Sequence, residues 1–370
     1  MHIGIDLGGT NIAAALVGSD GEIVSRVSIR TDTQGGTQAV IEGLSRVVQM
    51  LLEGSDILPE SIGIGVPGTV NNKTGEVLFT PNLPISGVNI VRELQRELQP
   101  VLNCPIHLGN DANCAALGEV IAGCAKGVGD AIFITLGTGI GGGIIMDGKL
   151  YTGFNGAAGE LGHMLIIDGG RKCGCGREGC WETYASATGL VRTAEEIISC
   201  RPSSLLWSLR AESRKDSSSA QSIIDVNDRS SGVAQSILGS ISHSRAHGVN
   251  QSDTTGLQHI DVNNSNLLDG RMIFDAYRKG DDAAKEIVDI YVTQLAAGVV
   301  NLINIFEPEI LCIAGGISNA WDCLKEPLEA IVNAQCYTRA QPHTQQTCIE
   351  KTSLGGDAGI IGAAYLHTSK

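Results

Sequence analysis

One imidazole and three thiols crowd into residues 163–180: His163, Cys173, Cys175 and Cys180. Nitrogen and sulfur ligands in that number suit a closed tetrahedral zinc site. Gly174, Gly176 and Gly179 allow the tight turns that so short a loop needs to wrap an ion. The protein would fill every ligand position, leaving none for a reactive water, so the metal would be structural. Glu160 and Glu182 flank the cluster, and neither is needed as a ligand. Two carboxylates pinned by a metal would form one wall of a binding site. A plain structural loop with no chemistry nearby reads equally well from spacing alone.

Two glycine-threonine turns form a second constellation. Asp6 ends an apolar strand and leads through Gly8, Gly9, Thr10 and Asn11 into another. Leu136 does the same through Gly137, Thr138 and Gly139. Each pair of strands then meets an Asp-Gly hairpin signal, at Asp20-Gly21 and at Asp147-Gly148. Turns of this kind expose backbone N–H groups that cradle phosphate. The glycine spacing near Gly137 resembles a dinucleotide fingerprint. A strand follows it where that fingerprint requires a helix, which argues against a dinucleotide fold. A matched pair of turns points to a duplicated domain clamping one polyphosphate from two sides.

Asp111 is a third candidate. Asn110-Asp111-Ala112-Asn113 lies between a strand and a helix. A carboxylate there can accept the proton of a hydroxyl nucleophile, or it can simply cap the helix.

At 370 residues the chain has room for two domains. A net charge of −14 disfavours nucleic acid and anionic membrane as partners. The first residues run straight into a strand, with no basic and apolar leader, and the longer apolar runs are broken by glycine and polar residues. Eleven cysteines are an odd number, three in the metal-like cluster and the rest scattered, which fits a reducing, cytoplasmic setting better than a disulfide framework.

Asp6-Leu-Gly-Gly-Thr, Gly109-Asn-Asp-Ala-Asn, Leu136-Gly-Thr-Gly-Ile-Gly-Gly-Gly, Glu160-Leu-Gly-His and Cys173-Gly-Cys-Gly-Arg-Glu-Gly-Cys-Trp-Glu together resemble the ROK family (repressors, open reading frames and sugar kinases). Within it they are most similar to the motifs of bacterial glucokinases. The resemblance covers residues 1 to about 200 and about 268 to 370. It implies an α/β, actin-like ATPase (ribonuclease H-like) fold, with two duplicated domains and a cleft between them. It also implies ATP and a hexose as substrates, with Mg²⁺ and a structural Zn²⁺. A homodimer or homotetramer is expected.

Residue by residue, the resemblance makes Asp111 the general base. Gly68, Asn82, Asn110, Asp111, Glu160, His163 and Glu182 become sugar contacts. Asp6 is expected to hold Mg²⁺ directly or through water. Thr10 and Thr138 would offer hydroxyls, and Gly8, Gly9, Gly137 and Gly139 backbone N–H groups, to the phosphates. Gly315 and Gly316 resemble the turn on the adenosine side. His163 would bind zinc through one ring nitrogen and a sugar hydroxyl through the other. Trp181 reads as core. Asn113 and Glu119 are left without a role.

The family also holds kinases for N-acetylmannosamine, N-acetylglucosamine, fructose and allose. Thr69 stands where an arginine tends to follow the glycine in the N-acetylmannosamine enzymes, which favours an unsubstituted hexose. Its repressors carry a helix-turn-helix of about 80 residues ahead of the first core strand. Here that strand opens the sequence, so a kinase is the better expectation than a repressor or a non-catalytic sensor.

These residues require particular elements. The first domain is expected over residues 1–108, completed by a C-terminal helix over 357–370. The second is expected over 109–356 and includes the zinc loop 160–182. Helices are predicted over Thr37–Glu53, Val88–Leu98, Met272–Lys279 and Ala283–Phe306, and strands over Ser61–Val66 and Ile310–Ile313. Residues 201–266 are rich in Ser, Asn, Asp and Gln and read as a flexible surface insertion.

Overall fold

The computed structural model describes residues 1–53, 58–99, 102–209, 268–340 and 345–368. Residues 210–266 of the expected insertion lie outside the described residues. The chain falls into two compact units, Met1–Thr193 with Val288–Lys370, and Ala194–Ile287.

The larger unit is built on two five-stranded sheets. The first contains β1 (His2–Leu7), β2 (Asn11–Val17), β3 (Ile23–Arg30) and β4 (Ser61–Val66). A small antiparallel sheet of β5 (Thr69–Asn71), β6 (Glu76–Phe79) and β7 (Val88–Asn89) interrupts it in sequence. Strand β8 (Ile106–Asn110) then completes the order β3-β2-β1-β4-β8. The second sheet contains β9 (Ala131–Leu136), β10 (Ile140–Met146), β11 (Lys149–Leu150), β12 (Ile310–Ala314) and β13 (Cys348–Lys351). Its order is β11-β10-β9-β12-β13. Each sheet therefore reads third-second-first-fourth-fifth in its own strands. This is the doubled, actin-like arrangement that the paired turns foreshadow.

The sequence explains the hairpins locally. Asp147 and Gly148 both adopt positive φ, at 51° and 73°. This is the twist that a two-residue hairpin needs to match its strands. Strand β4, in contrast, pairs in parallel on both sides and is buried along its whole length, as expected for a strand covered on both faces.

Helix α1 (Gly36–Leu52) packs Val40, Ile41, Leu44, Val47, Val48 and Leu51 into the first core. Helix α2 (Ile90–Leu98) starts two residues later than the periodicity predicts, because Val88 and Asn89 pair with β6. The Asn89 side chain caps it by accepting from Arg92 N. Helix α3 (Asp111–Ala122) follows β8 without a break.

The C-terminal helix is Ala358–Ala364, shorter than expected, with a 3₁₀ turn at Leu366–Thr368. It lies backbone to backbone on its neighbours. A Cβ at Gly4 would overlap the Ile360 carbonyl, and one at Gly63 that of Ala363. On α3, a Cβ at Gly118 would overlap the Ala358 carbonyl. The other side of α3 packs on β10, where Ala116 Cβ leaves no room for a side chain at Gly143. Overfilling such a contact costs about 1–3 kcal/mol. Gly118→Ala should therefore lower the unfolding midpoint by several degrees, as read by calorimetry, although the helix propensity of Ala acts in the opposite direction.

Glu119 is 1% exposed. Its carboxylate accepts from Cys124 N at 2.9 Å, Leu354 N at 2.9 Å, and Ser353 N and Oγ at 3.2 Å each. It thus joins the end of α3 to the segment that enters the C-terminal helix.

In the smaller unit, residues 201–209 correct the expected start of the insertion. Leu206 is fully buried, Leu205 N donates to Asp281 Oδ2 at 2.7 Å, and Arg201 pairs with Glu286. Leu206, with Trp207 half-buried beside it, anchors this stretch.

Among the described residues, helix Asp282–Phe306 alone has the length and hydropathy to cross a membrane. In the larger unit its Tyr291 OH donates to Ala185 O at 2.8 Å, Gln294 O accepts from Trp181 Nε1 at 3.0 Å, and Gly298 lies against the Trp181 ring. Trp181 is fully buried there.

Candidate active site

The parallel strands β1, β4 and β8 deliver three segments to one edge of the first sheet. β1 ends at Asp6-Leu7 before the first turn, β4 ends before Pro67-Gly68, and β8 ends at Asn110. Ligands bind outside the carboxyl ends of strands in such sheets. In the second sheet, β9 ends before Gly137 and β12 before Gly315 at the corresponding edge, with Ala314 paired to Thr135. At Gly315, φ is 89° and an added Cβ would lie 2.5 Å from Leu136 O, so only glycine fits this turn.

The N-cap of α3 is Asn110, whose Oδ1 accepts from Asn113 N at 3.1 Å. Asp111 is the first helical residue, so capping does not occupy it. Asp111 Oδ1 accepts from Ala112 N at 2.8 Å and from Asn110 Nδ2 at 3.0 Å. The same Asn110 amide donates to Gly68 O at 3.0 Å. Burial pushes the Asp111 carboxyl up, and these bonds pull it partly back. Burial, with the Asp111 charge as a smaller cause, raises Asp6 as well. Two half-buried carboxylates that repel each other suit a divalent cation, so the residues present fit Mg²⁺.

Gly68, Asn110, Asp111 and Glu160 line one hollow of about 200 Å³, together with Thr69, Asn113, Gly141, Gly142 and the stretch Gly156–Gly159. His163 stands behind Glu160, with Nε2 3.9 Å from Glu160 Oε2. Glu182 is not in that wall. It lines a neighbouring hollow of about 380 Å³ with Thr138, Gly139 and Lys172. Asn82 is exposed, with its Cβ against Gly9 rather than in the Asp111 hollow. A larger hollow of about 700 Å³ shares Asn110, Asn113 and Gly156 with the first.

The phosphate turns differ from expectation in one respect. Gly8 N donates to Asn11 O at 2.9 Å and Gly137 N to Gly139 O at 3.1 Å. Both N–H groups close their own turns, so the candidate donors narrow to Gly9 and Gly139 with the hydroxyls of Thr10 and Thr138. Thr31 braces the first turn by donating from Oγ1 to Gly8 O at 2.7 Å. Gly137 O accepts from Ala187 N at 2.8 Å, and Gly315 O accepts from Ser318 Oγ at 2.8 Å.

The loop 160–182 brings its four metal-type residues together. One ligating atom from each of His163, Cys173, Cys175 and Cys180 lies within 4.8 Å of the others. The Cys175 and Cys180 sulfurs are 3.7 Å apart, and His163 Nδ1 is 3.5 Å from Cys173 Sγ. Sulfurs at the corners of a zinc tetrahedron stand about 3.8 Å apart, so the residues fit that ion. Glu182 Oε1 approaches Cys173 Sγ to 3.0 Å, while Oε2 is the atom nearest Gly139. This carboxylate therefore bridges the cluster and the second turn.

Sequence reasoning left two residues of this region without a role. Asn113 is 5% exposed, and its Oδ1 has no hydrogen-bond partner among the described residues. Glu119 is the buried hub described above. Two polar residues inside an otherwise Ala-rich helix were the available signal, since buried polar groups need a reason.

The doubled fold and this polar hollow are those of a sugar kinase of the actin-like class, and the relatives agree. The chain belongs to the ROK family, whose model matches residues 2–255 and 252–370. The glucokinase of Thermotoga maritima is 32% identical over 365 residues, which cover 98% of this chain and 96% of that protein. The glucokinase of Halalkalibacterium halodurans is 30% identical over 371 residues, covering 99% and 94%. A solved ROK family glucokinase from Streptomyces griseus, in complex with glucose and AMPPNP, is 29% identical. It superposes with a TM-score of 0.67 over 99% of this chain and 98% of that one.

Proposed function

We propose that the chain transfers the terminal phosphoryl group of ATP to the 6-hydroxyl of glucose, with Asp111 as general base. The observation that carries this reading is the place of Asp111. It opens α3 at the sugar-sized hollow, and Asn110 supplies the cap it would otherwise provide. One of its oxygens is fixed by Ala112 N and Asn110 Nδ2, which orients the carboxylate for proton acceptance. Gly68, Asn110 and Glu160 hold hydroxyls of the ring in the same hollow. Thr10 and Thr138 receive the phosphates, and Gly315 and Gly316 leave the backbone open to the nucleoside.

Asp6 would hold Mg²⁺, which neutralises charge on the phosphates when bound. His163, Cys173, Cys175 and Cys180 would hold a structural zinc that keeps Glu160 and Glu182 in register. Thr69, not an arginine, lines the hollow beside Gly68, which favours glucose over N-acetylmannosamine.

A coupled assay of ADP release over glucose, fructose, mannose, N-acetylglucosamine and N-acetylmannosamine tests this. Glucose should give the highest kcat/KM. A tenfold advantage for an N-acetylhexosamine would overturn the substrate while leaving the kinase in place.

The base also sets a pH dependence. A carboxyl raised by burial takes up its proton at a higher pH than usual, and the protonated form cannot accept another. The acid limb of kcat/KM should therefore fall above the ordinary aspartate range near 3.9. Because Asp6 and Asp111 interact, the limb reports the pair. A profile flat down to pH 4 would exclude this assignment.

A further inference from the structure

Two cysteines outside the metal cluster meet. Cys124 Sγ, in the turn after α3, lies 3.2 Å from Cys312 Sγ on β12, across 188 residues of sequence. Neighbouring structure holds both in place. Cys124 N donates to the buried Glu119 carboxylate at 2.9 Å, which fixes the turn. Cys312 sits in the middle of β12, paired in register with Phe133 on one side and Glu350 on the other. Cys312 is fully buried, whereas solvent reaches Cys124. The close contact of Cys175 with Cys180, at 3.7 Å, belongs to the metal cluster.

We propose that Cys124 and Cys312 form an oxidation site that accepts a hydroperoxide and closes a reversible intramolecular disulfide. In the first step the Cys124 sulfur attacks a peroxide oxygen and the O–O bond breaks. The product is a sulfenic acid, and the peroxide leaves as water or an alcohol. In the second step the Cys312 sulfur attacks that sulfenic sulfur, the S–O bond breaks and water leaves. Two thiols are oxidised by two electrons and one peroxide is reduced. Cys124 goes first because it is the partner that solvent reaches. Bonded sulfurs sit about 2.05 Å apart, so an approach of only about 1.2 Å is needed. Cys312 is fully buried, which keeps it from meeting the oxidant ahead of Cys124.

The test uses the full-length, zinc-loaded protein, titrated with hydrogen peroxide, alkylated with N-ethylmaleimide and digested for peptide mapping. The expected result is a linked pair of peptides carrying Cys124 and Cys312. It should replace most of the free Cys124 peptide before exposed Cys200 or Cys348 is modified, and dithiothreitol should reverse it with zinc content unchanged. The linked pair should be missing from Cys124→Ser and Cys312→Ser. Oxidation of Cys200 and Cys348 while Cys124 is still alkylated would overturn the proposal. So would over-oxidation of Cys124 to sulfinic acid with no cross-link. The wild-type map alone decides, so a variant that misfolds does not block the answer.

Discussion

Asp111→Asn should fold and bind glucose, yet turn over roughly 10²–10⁴-fold more slowly, the usual loss when a positioned base is removed. The amide keeps the size of the carboxylate and can still accept from Ala112 N, so the start of α3 survives. What it lacks is the ability to take the hydroxyl proton. The same change should raise the unfolding midpoint of the substrate-free protein. Burial raises the Asp111 carboxyl, so the folded state favours its protonated form. That preference contributes stability below the ordinary aspartate pKa and is lost as pH rises through the folded one. At neutral pH the ionised group is a cost, and a neutral amide removes it. Calorimetry and steady-state kinetics on one preparation read both effects. Turnover within threefold of wild type would end the case for Asp111 as base.

Cys175→Ser should lose zinc, and both kcat and the affinity for sugar should fall by at least about tenfold, the scale seen when the shell around a metal is broken. The mutated residue touches neither substrate. Its sulfur is exposed on the outer side of the cluster, 3.7 Å from buried Cys180. The damage should travel through the loop. His163 Nδ1 faces Cys173, its Nε2 faces Glu160, and Glu182 reaches from Cys173 toward Gly139. Once the ligands separate, both glutamates lose their backing. Arg171, which donates to Thr183 O at 3.0 Å and Thr193 Oγ1 at 2.9 Å, should keep the far side of the loop attached, so global unfolding is not expected. Elemental analysis with kinetics decides. Wild-type protein that is fully active and free of zinc would refute the role.

The fold was legible because its signals are local and repeated. An apolar strand, a Gly/Thr turn, a second strand and an Asp-Gly hairpin occur twice, and each step depends on residues within a few positions of one another. The site was legible in types more than in contacts. Sequence let Asp111 serve as base or as cap, and only the structure shows Asn110 taking the cap. The N–H groups of Gly8 and Gly137 looked available because a sequence does not show which donors a turn uses on itself. Glu119 was invisible because most of its donors lie more than 230 residues away, at Ser353 and Leu354. The meeting of Cys124 with Cys312 was hidden for the same reason, 188 residues of sequence lying between them. Leu206 was misread because a Ser-rich neighbourhood masked a short apolar face.

The C-terminal helix has a consequence for how the chain is made. Ala358–Ala364 covers Gly4 on β1, Gly63 on β4 and Gly118 on α3. During synthesis these early strands emerge long before their cover exists. The first sheet must wait, with a glycine-lined face bare, until residues 358–364 have left the ribosome. Contacts of such sequence separation fold slowly and expose apolar surface meanwhile. Covering of the first sheet therefore waits for residues 358–364, and nascent chains stalled before residue 358 should be the species that chaperones hold.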